Sequence, residues 1–166
     1  MQDSRSVGQV DPAEFRSVMG LFSTGVCIVS MGSADKKPSG ITANSFVSVS
    51  LDPMLVCWSI QNSSSQFDAF AEANDFAISI LGEDQQDIAR RCASRGDTQL
   101  QADDFVWTGS GLPVVAGALG QIECRQWSVY PAGDHTMIFG EVTSLNAQHD
   151  LRPLGFFGGR FCRIVD

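Results

Sequence analysis

The chain has 166 residues, 43% of them apolar, and 11 Lys and Arg against 19 Asp and Glu give a net charge of −8. That composition supports one folded domain and excludes a disordered chain. It also argues against nucleic acid as a partner, since such affinity comes from Lys and Arg on phosphates.

Residues 1–10 read as a flexible lead-in and 11–166 as the folded domain. Asp11, Pro12 and Glu14 open a helix: Asp11 can cap, Pro12 fits the first turn, and Glu14 completes a capping-box spacing. Phe15, Val18, Met19 and Phe22 recur at helical spacing, which predicts one buried face. Strand texture begins at Thr24. Residues 24–31 are rich in Val, Ile and Cys, 32–39 form a polar turn, and 40–50 alternate small polar and apolar side chains. Leu51, Asp52 and Pro53 then turn the chain into an apolar strand over 54–60. Short strands so closely spaced favour antiparallel pairing.

A second helix is predicted over 65–74, opened by the three-residue spacing of Ser65 and Asp68, with Phe67, Phe70 and Ala71 inward. A strand follows over 76–81. The third helix, 84–94, has Ile88, Ala89 and Cys92 on one face and Arg90 and Arg91 near its C-terminal end, where cations suit the dipole. Residues 95–113 read as a polar surface excursion. Long strands over 118–130 and 135–145 meet through a turn at 131–134, and Gly158 and Gly159 lead into a last strand, 160–165. The sum is seven to nine strands and three short helices: a mainly β protein, a β-barrel or sandwich with short flanking helices.

No apolar run, 25–29 and 54–58 included, approaches the roughly 20 residues of a membrane helix, and the N-terminus has no signal-peptide stretch. A cytoplasmic protein without a membrane partner is expected. Cys27, Cys57, Cys92, Cys124 and Cys162 are an odd, scattered set with no CxxC pair, so they read as small buried hydrophobes. With two histidines and neither HxH nor HExxH, no metal site is expected. GxGxxG, P-loop and GxSxG motifs are absent too.

Four stretches carry candidate chemistry. Thr42, Asn44, Ser45, Ser48 and Ser50 place five uncharged hydrogen-bonding groups in nine positions. Such a run can meet the edge of a flat heteroaromatic ring and then a phosphate; an ordinary half-exposed strand has the same composition, and the residues leave both open. Residues 59–65, rich in serine, enter a helix, which makes either an anion site or a plain capped loop. In Ala93-Ser94-Arg95-Gly96, Arg95 either pairs with a phosphate or is solvated. His135 opens a strand beside Asp134, either at a barrel mouth or held by a local hydrogen bond; His149 reads as exposed. Trp58, Trp107 and Trp127 read as core or dimer packing.

Taken in order, these segments resemble the flavin reductase family, over about residues 14–165. The matching stretches are Phe15-Arg16 through Phe22-Ser23-Thr24-Gly25-Val26, the run GITANSFVSVSLDP at 40–53, FAISIL at 76–81, YPAGDHTMIFGEV at 130–142, and Pro153-Leu154 with Gly159-Arg160-Phe161. The resemblance implies an FMN-binding split barrel of Greek-key type that works as a homodimer. It implies an NAD(P)H:flavin oxidoreductase that passes hydride from NADH, or less often NADPH, to FMN or FAD and supplies a partner monooxygenase with reduced flavin. By position, Thr42, Ala43, Asn44 and Ser45 run beside the isoalloxazine, and Ser48, Val49 and Ser50 contact the ribityl chain and phosphate. Ser59, Ser65, Ala93, Ser94 and Arg95 sit on the phosphate side. His135, the expected catalytic residue, orients the nicotinamide, and Arg160 and Phe161 close over the rings. Met54, Cys92 and Gly96-Asp97 depart from the family pattern, the last two at the phosphate or adenine end, where they bear on FMN against FAD. A non-catalytic flavin-binding electron carrier or sensor, and a ligand-free interaction module, are the alternatives.

Overall fold

The computed structural model describes residues 10–33, 35–96 and 99–165. Apart from Val10, the expected lead-in lies outside the described residues, as does Asp97. Helix α1 (Pro12–Met19) starts as its sequence demands, with Asp11 Oδ1 accepting from the Ala13 N–H at 2.9 Å. Its apolar face is not buried, however. Phe15, Val18, Met19 and Phe22 are all exposed, Phe22 at 71%. A periodic stripe shows that a face needs cover; it does not say that the same chain supplies it.

The remaining elements are β1 (Thr24–Gly25), β2 (Cys27–Ser33), β3 (Lys36–Ala43), β4 (Val47–Leu51), β5 (Met54–Gln61), α2 (Phe67–Ala71), β6 (Asp75–Ile80) and α3 (Gln86–Ala93), followed by β7 (Phe105–Trp107), β8 (Pro113–Val115), β9 (Gly120–Ala132), β10 (His135–Ala147), β11 (Leu154–Phe157) and β12 (Arg160–Arg163). Twelve strands among the described residues exceed the seven to nine expected. Runs of two or three residues, such as β1, β7 and β8, are too short to leave a periodic trace in sequence.

Four further expectations are corrected. The single strand over 40–50 is two strands, broken at residues 44–46. The polar turn over 32–39 is mostly strand. The helix over 65–74 shrinks to five residues, and Gln66, not Ser65, stands at its N-cap without a side-chain bond. The excursion at 95–113 carries β7, which pairs with the buried strand β8.

The main sheet has seven antiparallel strands in the order β3-β2-β6-β9-β10-β5-β4. Laid flat, its edges would stand about 29 Å apart. Yet edge strands β3 and β4 are joined by three residues, a link of about 14 Å at most. The sheet must therefore roll until its two edges nearly meet. The result is an incompletely closed antiparallel barrel, with residues 44–46 crossing the open seam.

Alternation along the strands sorts the core. Cys27 and Val29 face the barrel interior, while Val26 and Ile28 face outward beneath Ile88, Ala89 and Cys92 of α3. Both faces of β2 are thus covered, which accounts for its unbroken apolar run. Inside, Trp58 meets Phe70 and Phe76 edge-on, with ring centroids 5.3 and 6.2 Å apart. Gly140 makes room for this cluster: a Cβ there would lie 2.6 Å from Phe76 Cζ. Four cysteines are buried as expected and Cys162 is half-buried; all five are free thiols.

Candidate functional site

A cavity of about 800 Å³ opens beside the seam, where the end of β3 and the 44–46 link approach β5, the loop after it, the end of α3 and the start of β10. Ligand pockets commonly measure roughly 300–1,000 Å³. Ten sequence-predicted residues line it: Thr42, Ala43, Asn44, Ser45, Ser59, Ser65, Ala93, Ser94, Arg95 and His135. Distant in sequence, they converge because the rolled sheet brings its edges together.

Five do not line it. Ser48, Val49 and Ser50 lie on β4, past the link, and Ser50 Oγ accepts from the Asp52 N–H at 3.3 Å. Arg160 and Phe161 lie on β12, where Phe161 meets Phe156 edge-on and lies 5.9 Å from the Arg90 guanidinium. Conversely, Gln61, Ser63 and Ser64 line the cavity without having been singled out. Their signal was present in the same serine run, but a strand-to-helix reading could not say which hydroxyls turn inward.

Some hydroxyls serve the scaffold. Thr42 Oγ1 donates to the Ala89 carbonyl at 2.6 Å and fastens β3 to α3. Ser45 Oγ accepts from the Ser59 N–H at 3.0 Å, which holds the link against β5. Behind the wall at 93–96, Arg91 grips Asp104 through both terminal nitrogens, at 2.6 and 3.1 Å. Cys92, next to it, is a thiol that burial pushes up to about 11. It is a proton-bound packing group at neutral pH.

At the other side of the cavity, His135 follows the tight turn of β9 into β10. Gly133 supplies the positive φ of +67° that this turn requires. His135 is 43% exposed, and its Nδ1 lies 2.8 Å from Asp134 Oδ1. That hydrogen bond holds the Asp134 carboxyl below the usual carboxylate range. Arg95 is exposed at the cavity rim. Among the lining residues there is one guanidinium, one imidazole and no carboxylate. Among the described residues, no group of three or more His, Cys, Asp and Glu could hold a metal ion. No helix is long and apolar enough to cross a membrane.

Fold and lining together define a class: an open-seamed β-barrel with a polar cavity beside the seam, lined among the described residues by hydroxyls, one guanidinium and one imidazole. Residues 19–165 match the family described as flavin reductase like domain, and the chain belongs to that family. It is similar to the FMN reductase (NADH) SmoA of Agrobacterium fabrum, 45% identical over 160 residues, which cover 95% of this chain and 88% of that protein. It is also similar to HsaB of Rhodococcus jostii, a flavin-dependent monooxygenase reductase subunit, 35% identical over 155 residues that cover 93% and 79% of the two chains. Among solved structures it resembles the NADH:FAD oxidoreductase SgcE6 of Streptomyces globisporus C-1027 in complex with NAD and FAD fragments. That match has a TM-score of 0.87 at 36% identity and covers 95% of this chain and 96% of the other.

Proposed function

We propose that this protein is an NADH-dependent flavin reductase that supplies reduced FMN or FAD to a separate flavin-dependent monooxygenase. The observation that carries the reading is the lining of the cavity, which among the described residues offers many hydroxyls, one guanidinium, one imidazole and no carboxylate. A neutral ring system ending in phosphate fits that donor set, and a metal or a polycation does not. Flavin, when bound, supplies hydride acceptance; the protein's part is to bind and align two flat rings.

In this reading Thr42, Ala43, Asn44 and Ser45 lie along the ring, and Ser59, Ser65, Ala93, Ser94 and Arg95 hold the phosphate side. His135 orients the nicotinamide. With Arg95 engaged by the flavin phosphate, no second guanidinium or ammonium among the described residues lines the cavity for a 2′-phosphate, which favours NADH over NADPH. The proposed site leaves out Ser48, Val49, Ser50, Arg160 and Phe161. The exposed apolar face of α1 supports a homodimer, and five free thiols suit the reducing cytoplasm.

The test is to mix the protein with NADH and either FMN or FAD and follow loss of nicotinamide absorbance. Flavin-dependent oxidation is expected, and His135→Ala should slow it ten- to a hundredfold, about 1.4–2.8 kcal/mol. No oxidation with either flavin would refute the reading; a protein that stays yellow through dialysis without being reduced by NADH would be an electron carrier or sensor instead.

A further inference from the structure

One residue outside the predicted set binds the chain on both sides of His135. Asn62 stands just past the end of β5. Its backbone N–H donates to the Asp134 carbonyl at 2.9 Å, and its Nδ2 donates to the Gly133 carbonyl at 3.3 Å. Its Oδ1 accepts from Thr136 Oγ1 at 2.7 Å, and Thr136 is buried. Gly133 and Asp134 precede His135 and Thr136 follows it, so three hydrogen bonds from one residue fix the backbone that carries the imidazole.

The ring itself is held by Asp134. An ionised carboxylate can only accept, so the proton in the 2.8 Å contact belongs to His135 Nδ1. A neutral imidazole has one proton. With that proton on Nδ1, Nε2 carries a lone pair, and among the described residues nothing bonds to it. Free histidine in water prefers the other tautomer, with the proton on Nε2. A plain half-exposed histidine would therefore offer a ligand the opposite polarity.

We propose that Asn62 and Asp134 are positioning residues that hold neutral His135 in its Nδ1–H form, so that Nε2 meets the ligand as a hydrogen-bond acceptor and selects a dinucleotide whose ring bears a carboxamide N–H. The ligand clause rests on the flavin reductase reading; the tautomer clause rests on this chain alone. The nicotinic acid counterpart of NADH carries a carboxylate in place of the amide. It brings only acceptors and a negative charge to Nε2, and the site rejects it.

The first measurement needs neither flavin nor turnover. The chain has two histidines, so His149→Gln, at an exposed position outside the site, leaves one imidazole to observe. A long-range proton–nitrogen spectrum at about pH 8, above the ordinary imidazole range, reports which nitrogen is protonated. A protonated Nδ1 and a bare Nε2 are expected. Asp134→Ala should move the pattern toward the Nε2–H form, and Asn62→Ala should blur it. Thr136→Val removes one strut of the clamp and serves if Asn62→Ala fails to fold.

The second measurement compares NADH with its nicotinic acid counterpart in the FMN-loaded enzyme. A KM at least about tenfold higher for the acid is expected, the scale of one lost hydrogen bond to a charged or polar partner. In Asp134→Ala that preference should shrink to about threefold or less, with the KM for FMN unmoved. An Nε2–H spectrum for the otherwise unaltered protein, or equal KM for both dinucleotides, overturns the proposal. A protein without NADH-dependent activity that still shows the Nδ1–H spectrum would sink the function proposed above and uphold the positioning by Asn62 and Asp134.

Discussion

Ala43, Asn44 and Ser45 border two hollows at once, the site cavity of about 800 Å³ and a groove of about 710 Å³ on the other side of the seam. Serines, Arg95 and His135 complete the first. Met19, Phe22, Val26, Phe46, Val47 and Ile80 surround the second. The two are nearly equal in size and opposite in chemistry, so volume alone identifies neither. A wall of hydroxyls remains well hydrated until a polar ligand replaces its water. Exposed Met and Phe side chains gain about 25 cal/mol for every Å² removed from water, so they call for apolar cover. The groove continues onto α1, whose unburied stripe is the part of the molecule best suited to a second copy.

The strongest way to break this contrast is to charge the apolar side. Phe22→Glu should dissociate the proposed homodimer, with a loss of about 4 kcal/mol if the carboxylate is buried unpaired. Light scattering should then give the monomer mass; an unchanged dimer would show that the stripe has another purpose. Next in size is the removal of Arg95, the one guanidinium among the described residues that line the polar side. Arg95→Ala should weaken FMN ten- to a hundredfold, about 1.4–2.8 kcal/mol, and leave riboflavin, which has no phosphate, unaffected. Fluorescence titration with both ligands makes that comparison.

Ser45→Val tests the shared wall. It strands the Ser59 N–H, now paired at 3.0 Å, and should cost about 1 kcal/mol of stability in a denaturant titration. A pH test concerns one thiol from each hollow. Burial pushes Cys27, beside the groove, up to about 12 and Cys92, beside the cavity, up to about 11. Both lie above their ordinary value of 9.0, so the unfolded thiols ionise first. Stability should be level below pH 9 and fall as pH rises above it, up to about 11 on account of Cys92 and up to about 12 on account of Cys27, visible as a declining Tm. Within that window Cys92 should react with a thiol reagent before Cys27.

The same contrast shows what could be read from residues alone. Strand positions near the site were legible because alternation and flanking turns are local signals, and His135 was legible because a Gly-Asp turn announces a strand start. The split of 40–50 was not: Asn44, Ser45 and Phe46 continue the alternating texture, and only the pairing of β3 and β4 at opposite sheet edges interrupts it. Burial of the α1 face was misread for a related reason, since amphipathicity is local and its partner is not. Asn62 left no sequence trace as a clamp, because its three bonds reach across more than 70 residues to a turn that only the folded sheet brings near.

The three-residue crossing between β3 and β4 joins the first and last strands of a seven-strand order. The link keeps these edges close along the chain, but the cavity is complete only when α3 and β10, which also line it, have been brought in by the intervening strands. A chain with one strand missing or slipped offers nothing for a cofactor to hold. Any ligand that spans the cavity thus favours the finished barrel over all incomplete ones, by about 2.7 kcal/mol at a hundred times its dissociation constant. Cellular flavin supply would in this way help set how much of the protein survives quality control.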